Sequence, residues 1–336
     1  MAKKNNAKSA GGGNAATKTE KKGKNQISQQ QARANAARAS AKISPAPEGP
    51  VPPVSVRVPI SISEQNLEQA LDSLIRHTCA DFEALCINDG STDGSLDIIK
   101  RYMEKDQRFR LIDKDNSGYG ASMNLAIDTA RGEYIGILEP DDFFEPNALE
   151  LLYGLVKDAS ADAPVDVAKA NYWFYWSTPK ERNQLISVCK PPMTDAPFNP
   201  RDVREVFYCI PSIWSALYRR EMLVEKGVRF LETAGASFQD LGFQFKVWVT
   251  AQKVVMSEEA ILHYRQDNEA SSVNDAQKVM CVCKEFDMAE RFIKNDPDCE
   301  DLRKVLFRLR YDSYMWNFAR LAPEQRREFV VKMHED

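Results

Sequence analysis

From residue 54 onward, short apolar runs alternate with stretches in which apolar residues recur at helical spacing. Val54-Ser-Val-Arg-Val58 reads as a strand ended by Pro59. Leu67, Ala70, Leu71, Leu74 and Ile75 then form one stripe, which predicts a helix over 64–77. Phe82–Ile87 reads as a second strand. The turn Asn88-Asp-Gly-Ser-Thr-Asp93 follows it, and Leu96, Ile98, Ile99 and Met103 mark the next helix. A third strand is predicted over Phe109–Ile112, a helix over 121–130 and a fourth, apolar strand over Tyr134–Leu138. Strand and helix alternating at this spacing imply an α/β fold: a mostly parallel sheet flanked by helices. Ligands of such sheets bind beyond the carboxyl ends of the strands. Two acidic clusters follow the second and fourth strands, at that edge.

The ends of the chain read differently. Residues 1–53 are mostly Lys, Asn, Ala, Gln, Gly and Ser, too poor in large apolar residues to offset the entropy of ordering, and predict a disordered tail. The Ala-rich stretch Gln29–Lys42 favours a transient helix, which the prolines at 45, 47, 50, 52 and 53 end. Residues 276–320 carry two helical stripes, Val279, Val282, Phe286 and Ala289, then Leu302, Val305, Leu306, Leu309, Tyr314 and Phe318. The implied organisation is a tail over 1–53, a central domain over 54–270 and a helical appendage over 271–336.

Charge sharpens this division. The whole chain carries a net −4, but residues 1–50 hold ten Lys/Arg against Glu20 and Glu48, a net +8 that leaves −12 for the rest. An acidic body argues against nucleic acid as a partner. The basic arm is either a solubilising tail or a peripheral contact with anionic lipid at the inner face of a membrane. No apolar run approaches the ~20 residues that span a bilayer. The seven cysteines match no disulfide or zinc spacing, and free thiols indicate a reducing cytoplasm.

The candidate chemistry lies at the two acidic strand ends. Ile137-Leu-Glu-Pro-Asp-Asp-Phe143 delivers Glu139, Asp141 and Asp142 from the end of a buried strand. Capping the helix that follows needs one carboxylate. Three together repel one another unless a cation neutralises them, and hard oxygen ligands select Mg²⁺ or Mn²⁺. Asp89, at the second strand's end, suits the imide N–H of a uracil-like base, while Asp93 or Thr92 caps the next helix. Asn116-Ser-Gly-Tyr-Gly fails as a dinucleotide fingerprint because Met123 occupies the third glycine position. Its glycines instead let backbone approach a diphosphate at a helix N-terminus.

Taken together and in order, Val54-Ser-Val…Pro59, Asn88-Asp-Gly-Ser-Thr-Asp-Gly-Ser95, Asn116-Ser-Gly-Tyr-Gly, Gly132-Glu-Tyr-Ile-Gly and Glu139-Pro-Asp-Asp resemble the family-two glycosyltransferases. The resemblance continues through Trp214-Ser-Ala-Leu-Tyr-Arg-Arg-Glu-Met-Leu223, Gly227-Val-Arg-Phe and Ser237-Phe-Gln-Asp240, and covers about residues 54–270. It implies a GT-A fold, a nucleotide-sugar donor (a UDP-sugar foremost) and a glycan or lipid-linked acceptor. It makes Asp89 the base-reading carboxylate and Glu139-Pro140-Asp141 the D-x-D element, with Asp142 the acidic residue after it; Gly118 lies at the diphosphate. It makes Asp240 the catalytic base of an inverting transfer, Arg265 a donor contact, and His263 a metal ligand beside Asp141 and Asp142. Two positions depart from the family pattern: Gln239 replaces the first acid of the pair that ends in Asp240, and Ser61-Ile62 replaces Tyr-Asn after the first strand. Trp173, Phe174, Tyr175 and Trp176 line a sugar site or fill the core. The rival readings are a nucleotidyltransferase, which lacks its basic glycine-rich loop here, and a nucleotide-sugar-binding module without turnover.

Overall fold

A computed structural model describes residues 29–233, 238–268, 280–294 and 296–335 of the 336-residue chain. The described chain begins with helix α1 (residues 29–40) and the two-residue strand β1 (Lys42–Ile43), which pairs antiparallel with β4 (Phe109–Lys114). The rest of the first half is β2 (Val54–Ile60), α2 (Glu64–Ile75), β3 (Phe82–Asp89), α3 (Ser95–Lys105), α4 (Tyr119–Thr129) and β5 (Tyr134–Ile137). Strands β4, β3, β2 and β5 lie side by side and parallel, and all seven residues of β2 are buried. Strand β2 runs on through Pro59 because β5 pairs only with Val54–Arg57. Beyond that point β2 has one neighbour, where a missing backbone donor is tolerated.

Residues 29–53 depart from the expectation of a tail without structure; residues 1–28 lie outside the described residues. Ala34 and Ala37 are buried, and Gln31 and Arg38 donate to Glu232 at 2.9 and 3.3 Å. Arg131 donates to the carbonyls of Pro47, Gly49 and Pro50, and Arg110 to that of Ser44. Arg110 is itself fixed by a buried pair with Glu83 at 2.9 Å, and Glu83 also accepts from Ser55 and from the Arg131 N–H. This segment is held by backbone carbonyls, two small buried alanines and the polar side chains of Gln31 and Arg38, so its composition gave no hydrophobic signal.

In the second half the sheet is mixed. Strand β9 (Ala216–Arg219) runs antiparallel to β5 and to β7 (Val167–Trp176), and β7 is parallel to the long β10 (Val254–Arg265). Strands β6 (Phe143–Phe144) and β8 (Arg182–Ile186) pair antiparallel with β10 and β7. Helices α5 (Ala148–Ala159), α6 (Arg220–Glu225) and α7 (Gln239–Thr250) cover this half. Helices α8 (Cys281–Ile293), α9 (Leu302–Arg320) and α10 (Pro323–Glu335) follow, with α8 packed on α7 and α9 on α8. All seven cysteines are free, and no helix among the described residues is long and apolar enough to cross a membrane.

Two glycines test the packing around α4 and α5. A methyl group on Gly120 would overlap the Leu231 carbonyl, whereas none of the surroundings approaches Gly154. Gly120→Ala is therefore expected to destabilise the fold by about 1–3 kcal/mol, as overpacking does. Gly154→Ala should stabilise it by up to about 1 kcal/mol through helix propensity. Thermal unfolding of the two variants reads the opposite signs.

Candidate active site

A cleft of about 1050 Å³ opens at the carboxyl ends of β2, β3 and β5. Asp89, Gly118, Tyr119, Glu139, Asp141 and Asp240 all line it. Its size is at the upper end of small-molecule sites.

The acidic loop after β5 is tied to the end of β10. The Arg265 backbone N–H donates to Asp142 Oδ1 at 2.9 Å, and Arg265 Nε donates to the Asp141 carbonyl at 3.0 Å. Asn268 Nδ2 donates to Asp141 Oδ2 at 2.9 Å. Glu139 accepts from the Tyr119 hydroxyl at 2.6 Å. Burial, and then the charges of Asp141 and Asp240, push the Glu139 carboxyl up to about 8, against the pull of the Tyr119 hydrogen bond. Burial also raises the Asp142 carboxyl well above the carboxylate range, and Asp141 beside it adds to the effect. Asp142 does not line the cleft: it is 1% exposed and lies beneath it, its Oδ2 buried without a partner. That corrects the direct donor and metal contact expected for Asp142.

The described residues hold no close set of three His, Cys, Asp or Glu side chains. The acidic loop nonetheless fits a hard divalent cation. Mg²⁺ and Mn²⁺ sites of this type use one or two carboxylates plus substrate phosphates, not an all-protein cage. Asp141 and Glu139 supply the carboxylates at the cleft wall, and mutual repulsion raises the cost of leaving them without one.

Asp89 is buried at the end of β3, and its carboxylate is already engaged. Oδ1 accepts from Lys114 Nζ and from the Ser117 N–H at 2.8 Å, and Oδ2 accepts from the Gly118 N–H at 3.0 Å. The Gly118 N–H expected at a diphosphate is thus spent on Asp89. Gly118 is needed for its backbone, at φ 93°, which only glycine adopts without strain. Asp93 serves the bland role: it accepts from the Ser95 N–H at the start of α3 and from the Glu64 N–H at the start of α2.

Asp240 stands in the first turn of α7, half-buried and facing the cleft. Burial pushes its carboxyl up to about 6, with the backbone N–H groups of Leu241 and Asp240 pulling the other way. The residue that starts this helix, Phe238, has φ 60°. A bulky side chain held there costs ~1–3 kcal/mol, strain of the kind that gathers at functional sites. Gln239 is buried and donates to Thr233 Oγ1 at 2.9 Å.

His263 and Arg265 are not where the sequence reading put them. His263 does not line the cleft, and both its ring nitrogens are engaged, Nδ1 with Asn183 at 2.9 Å and Nε2 with Glu145 at 2.7 Å. Its ring stacks on Phe143 at 4.4 Å. The Arg265 guanidinium also lies off the cleft, donating to the Asp141 carbonyl and to Gln69, over the Tyr175 ring. It positions the acidic loop and does not face a donor. The aromatic run of β7 divides by strand alternation. Phe174 lines the cleft beside Tyr172, while Trp173 and Tyr175 pack against His263.

Sequence reasoning missed Tyr119, Tyr264, Asn268 and Glu285, which line the same cleft. Tyr119 sits inside the Gly-Tyr-Gly motif and was the one with a signal. The others reach the cleft only through the packing of β10 and α8.

Solved structures share this fold. Residues 1–349 of S. aureus TarS in complex with UDP-GlcNAc align with a TM-score of 0.63 at 17% identity, over 83% of this chain and 79% of that one. The mannosyltransferase PcManGT of Pyrobaculum calidifontis, in complex with GDP-Man and Mn²⁺, aligns with a TM-score of 0.55 at 16% identity, over 93% and 82%. The class is therefore a GT-A α/β fold. The model of glycosyl transferase family 2 matches residues 55–225, and the chain belongs to that family. Among curated relatives, the "Uncharacterized glycosyltransferase EpsJ" of Bacillus subtilis (strain 168) is 28% identical over 230 residues. That alignment spans 65% of this chain and 62% of the relative's length.

The placement of His263 makes a prediction. His263→Gln should leave Mn²⁺ affinity, read by titration, within about twofold. Removing a metal ligand, or even a close supporter of one, weakens binding by 10-fold or more. A loss of that size would return His263 to the metal site.

Proposed function

We propose that the protein is a metal-dependent inverting glycosyltransferase. It moves a sugar from a nucleoside-diphosphate donor, a UDP-sugar, to a hydroxyl of a glycan, lipid-linked or protein-linked acceptor. The observation that carries this reading is the carboxyl of Asp240, raised to about 6 and lining the same cleft as Glu139 and Asp141. The donors in the two aligned complexes, UDP-GlcNAc and GDP-Man, support a nucleotide-sugar ligand.

Asp141 would hold the divalent cation, with Glu139 beside it and the Asp142 carboxyl beneath. When bound, the cation neutralises charge that develops on the leaving diphosphate. The protein's own residues do the rest. The Tyr119 hydroxyl holds Glu139 in one orientation. Asp89 shapes the wall formed by Ser117 and Gly118, and its remaining acceptor capacity takes the imide N–H of the base. Asp240 accepts the proton of the attacking hydroxyl, on the face of the sugar away from the diphosphate. A base with its pKa near 6 is ionised at neutral pH and still basic enough to take that proton.

Two predictions test the assignment. Asp240→Asn keeps the size and the first-turn position but cannot accept a proton. Transfer should fall ~10²–10⁴-fold with donor affinity retained. In the wild type, the transfer rate should rise with pH through about 6, because the working form of Asp240 is the ionised one. A variant with near-wild-type transfer, or a profile flat through that range, would remove the base. Separately, Asp141→Ala should abolish the metal-dependent part of donor-induced thermal stabilisation while the fold persists. The product decides between chemistries: free nucleoside diphosphate marks sugar transfer, and pyrophosphate marks nucleotidyl transfer.

A further inference from the structure

Helix α8 puts a carboxyl group into the cleft that the reaction described above does not use. Glu285 is 2% exposed and lines the cleft, yet its Oε2 is buried with no hydrogen-bond partner. It lies flat against the first turn of α7, where a methyl group on Gly242 would overlap Oε2, so the glycine two residues after Asp240 makes room for it. The Lys246 ammonium lies close enough to favour the ionised carboxyl, but a buried oxygen without a hydrogen bond still costs free energy that a ligand hydroxyl would recover. Phe286 and Ala289 of α8, with Ser313 and Trp316 of α9, line the cleft beside it. The two C-terminal helices thus wall the side next to Asp240.

We propose that Glu285 is an acceptor-binding residue, its carboxyl hydrogen-bonding a hydroxyl of the incoming acceptor next to Asp240. The inference rests on the reading of Asp240 as the base. Gln239, which also lines the cleft, donates its amide N–H to Thr233. Burial raises the Glu285 carboxyl, the Lys246 ammonium opposing and the Asp240 charge adding. Burial thus favours the protonated form, which can both donate to a hydroxyl and accept from it. Glutamine keeps both capacities; alanine keeps neither.

The test uses glycerol as the smallest hydroxyl probe, competing with water for the sugar of the donor that a nucleotide-sugar thermal-shift screen selects. The ratio of glycerol product to free sugar should fall about 10-fold in Glu285→Ala, the size expected for losing one hydrogen bond to a charged or strongly polar group. It should stay within about twofold of wild type in Glu285→Gln. Melting temperature should hold in Glu285→Gln, which keeps the size and the polar atoms. An unchanged ratio in Glu285→Ala, or a wild type that passes no sugar to glycerol, overturns the proposal. So does a fall of melting temperature in both variants, which would mark Glu285 as a structural clamp on α7. Asp240→Asn, run alongside, lowers the total rate without changing the ratio, so failure of the base assignment is read on a different axis.

Discussion

The tie between the end of β10 and the loop after β5 is the interaction on which the cleft depends. Glu139, Asp141 and Asp142 follow a strand end, where backbone hydrogen bonding to neighbours stops. Arg265 restores it: its N–H takes Asp142 and its guanidinium takes the Asp141 carbonyl, while Asn268 takes the Asp141 side chain. The same strand carries Tyr264, stacked on Trp214 at 4.6 Å, into the cleft wall. One long strand from the second half therefore fixes a loop from the first half, and the two halves of the sheet share one site.

That tie is stretched by charge. Glu139, Asp141 and Asp240 face a common space with Asp142 beneath, and burial makes their repulsion count. The compensation inside the fold comes from below. Arg57, fully buried on β2, stays a cation even with its pKa lowered to about 10, and it lies close enough to Glu139 to favour that group's ionised form. Lys114 forms a buried ion pair with Asp89. These cations balance the strand ends but leave Asp141 facing open cleft, where a divalent ion and a diphosphate fit the remaining charge.

The C-terminal helices change what the cleft is. Read as an appendage, they would add stability and little else. Packed on α7, they close the side of the cleft nearest Asp240 and bring Glu285, Phe286 and Trp316 to it. The Gly242 position shows how close that packing is, since no larger residue leaves space for the Glu285 carboxyl.

The order of strands and helices through Leu138 was legible in the sequence because each element carries its own periodicity, and periodicity is local. The acidic clusters were legible for the same reason: each sits in one short segment at a strand end. What the sequence could not decide were partners from distant segments. His263 and Arg265 looked like ligands because their side chains can bind metal or phosphate. The pairing of β10 with β6 and β7 turned one toward Glu145 and Asn183 and the other toward the Asp141 carbonyl. The helical tendency of 29–42 was legible, but its docking and that of residues 43–53 were not, because the anchors are backbone carbonyls and polar side chains that composition does not register. Glu285 looked like one more charge on an amphipathic helix. Only the docking of α8 on Gly242 removed it from water and made it part of the cleft wall, because burial is a property of the assembled fold and not of any one stretch of chain.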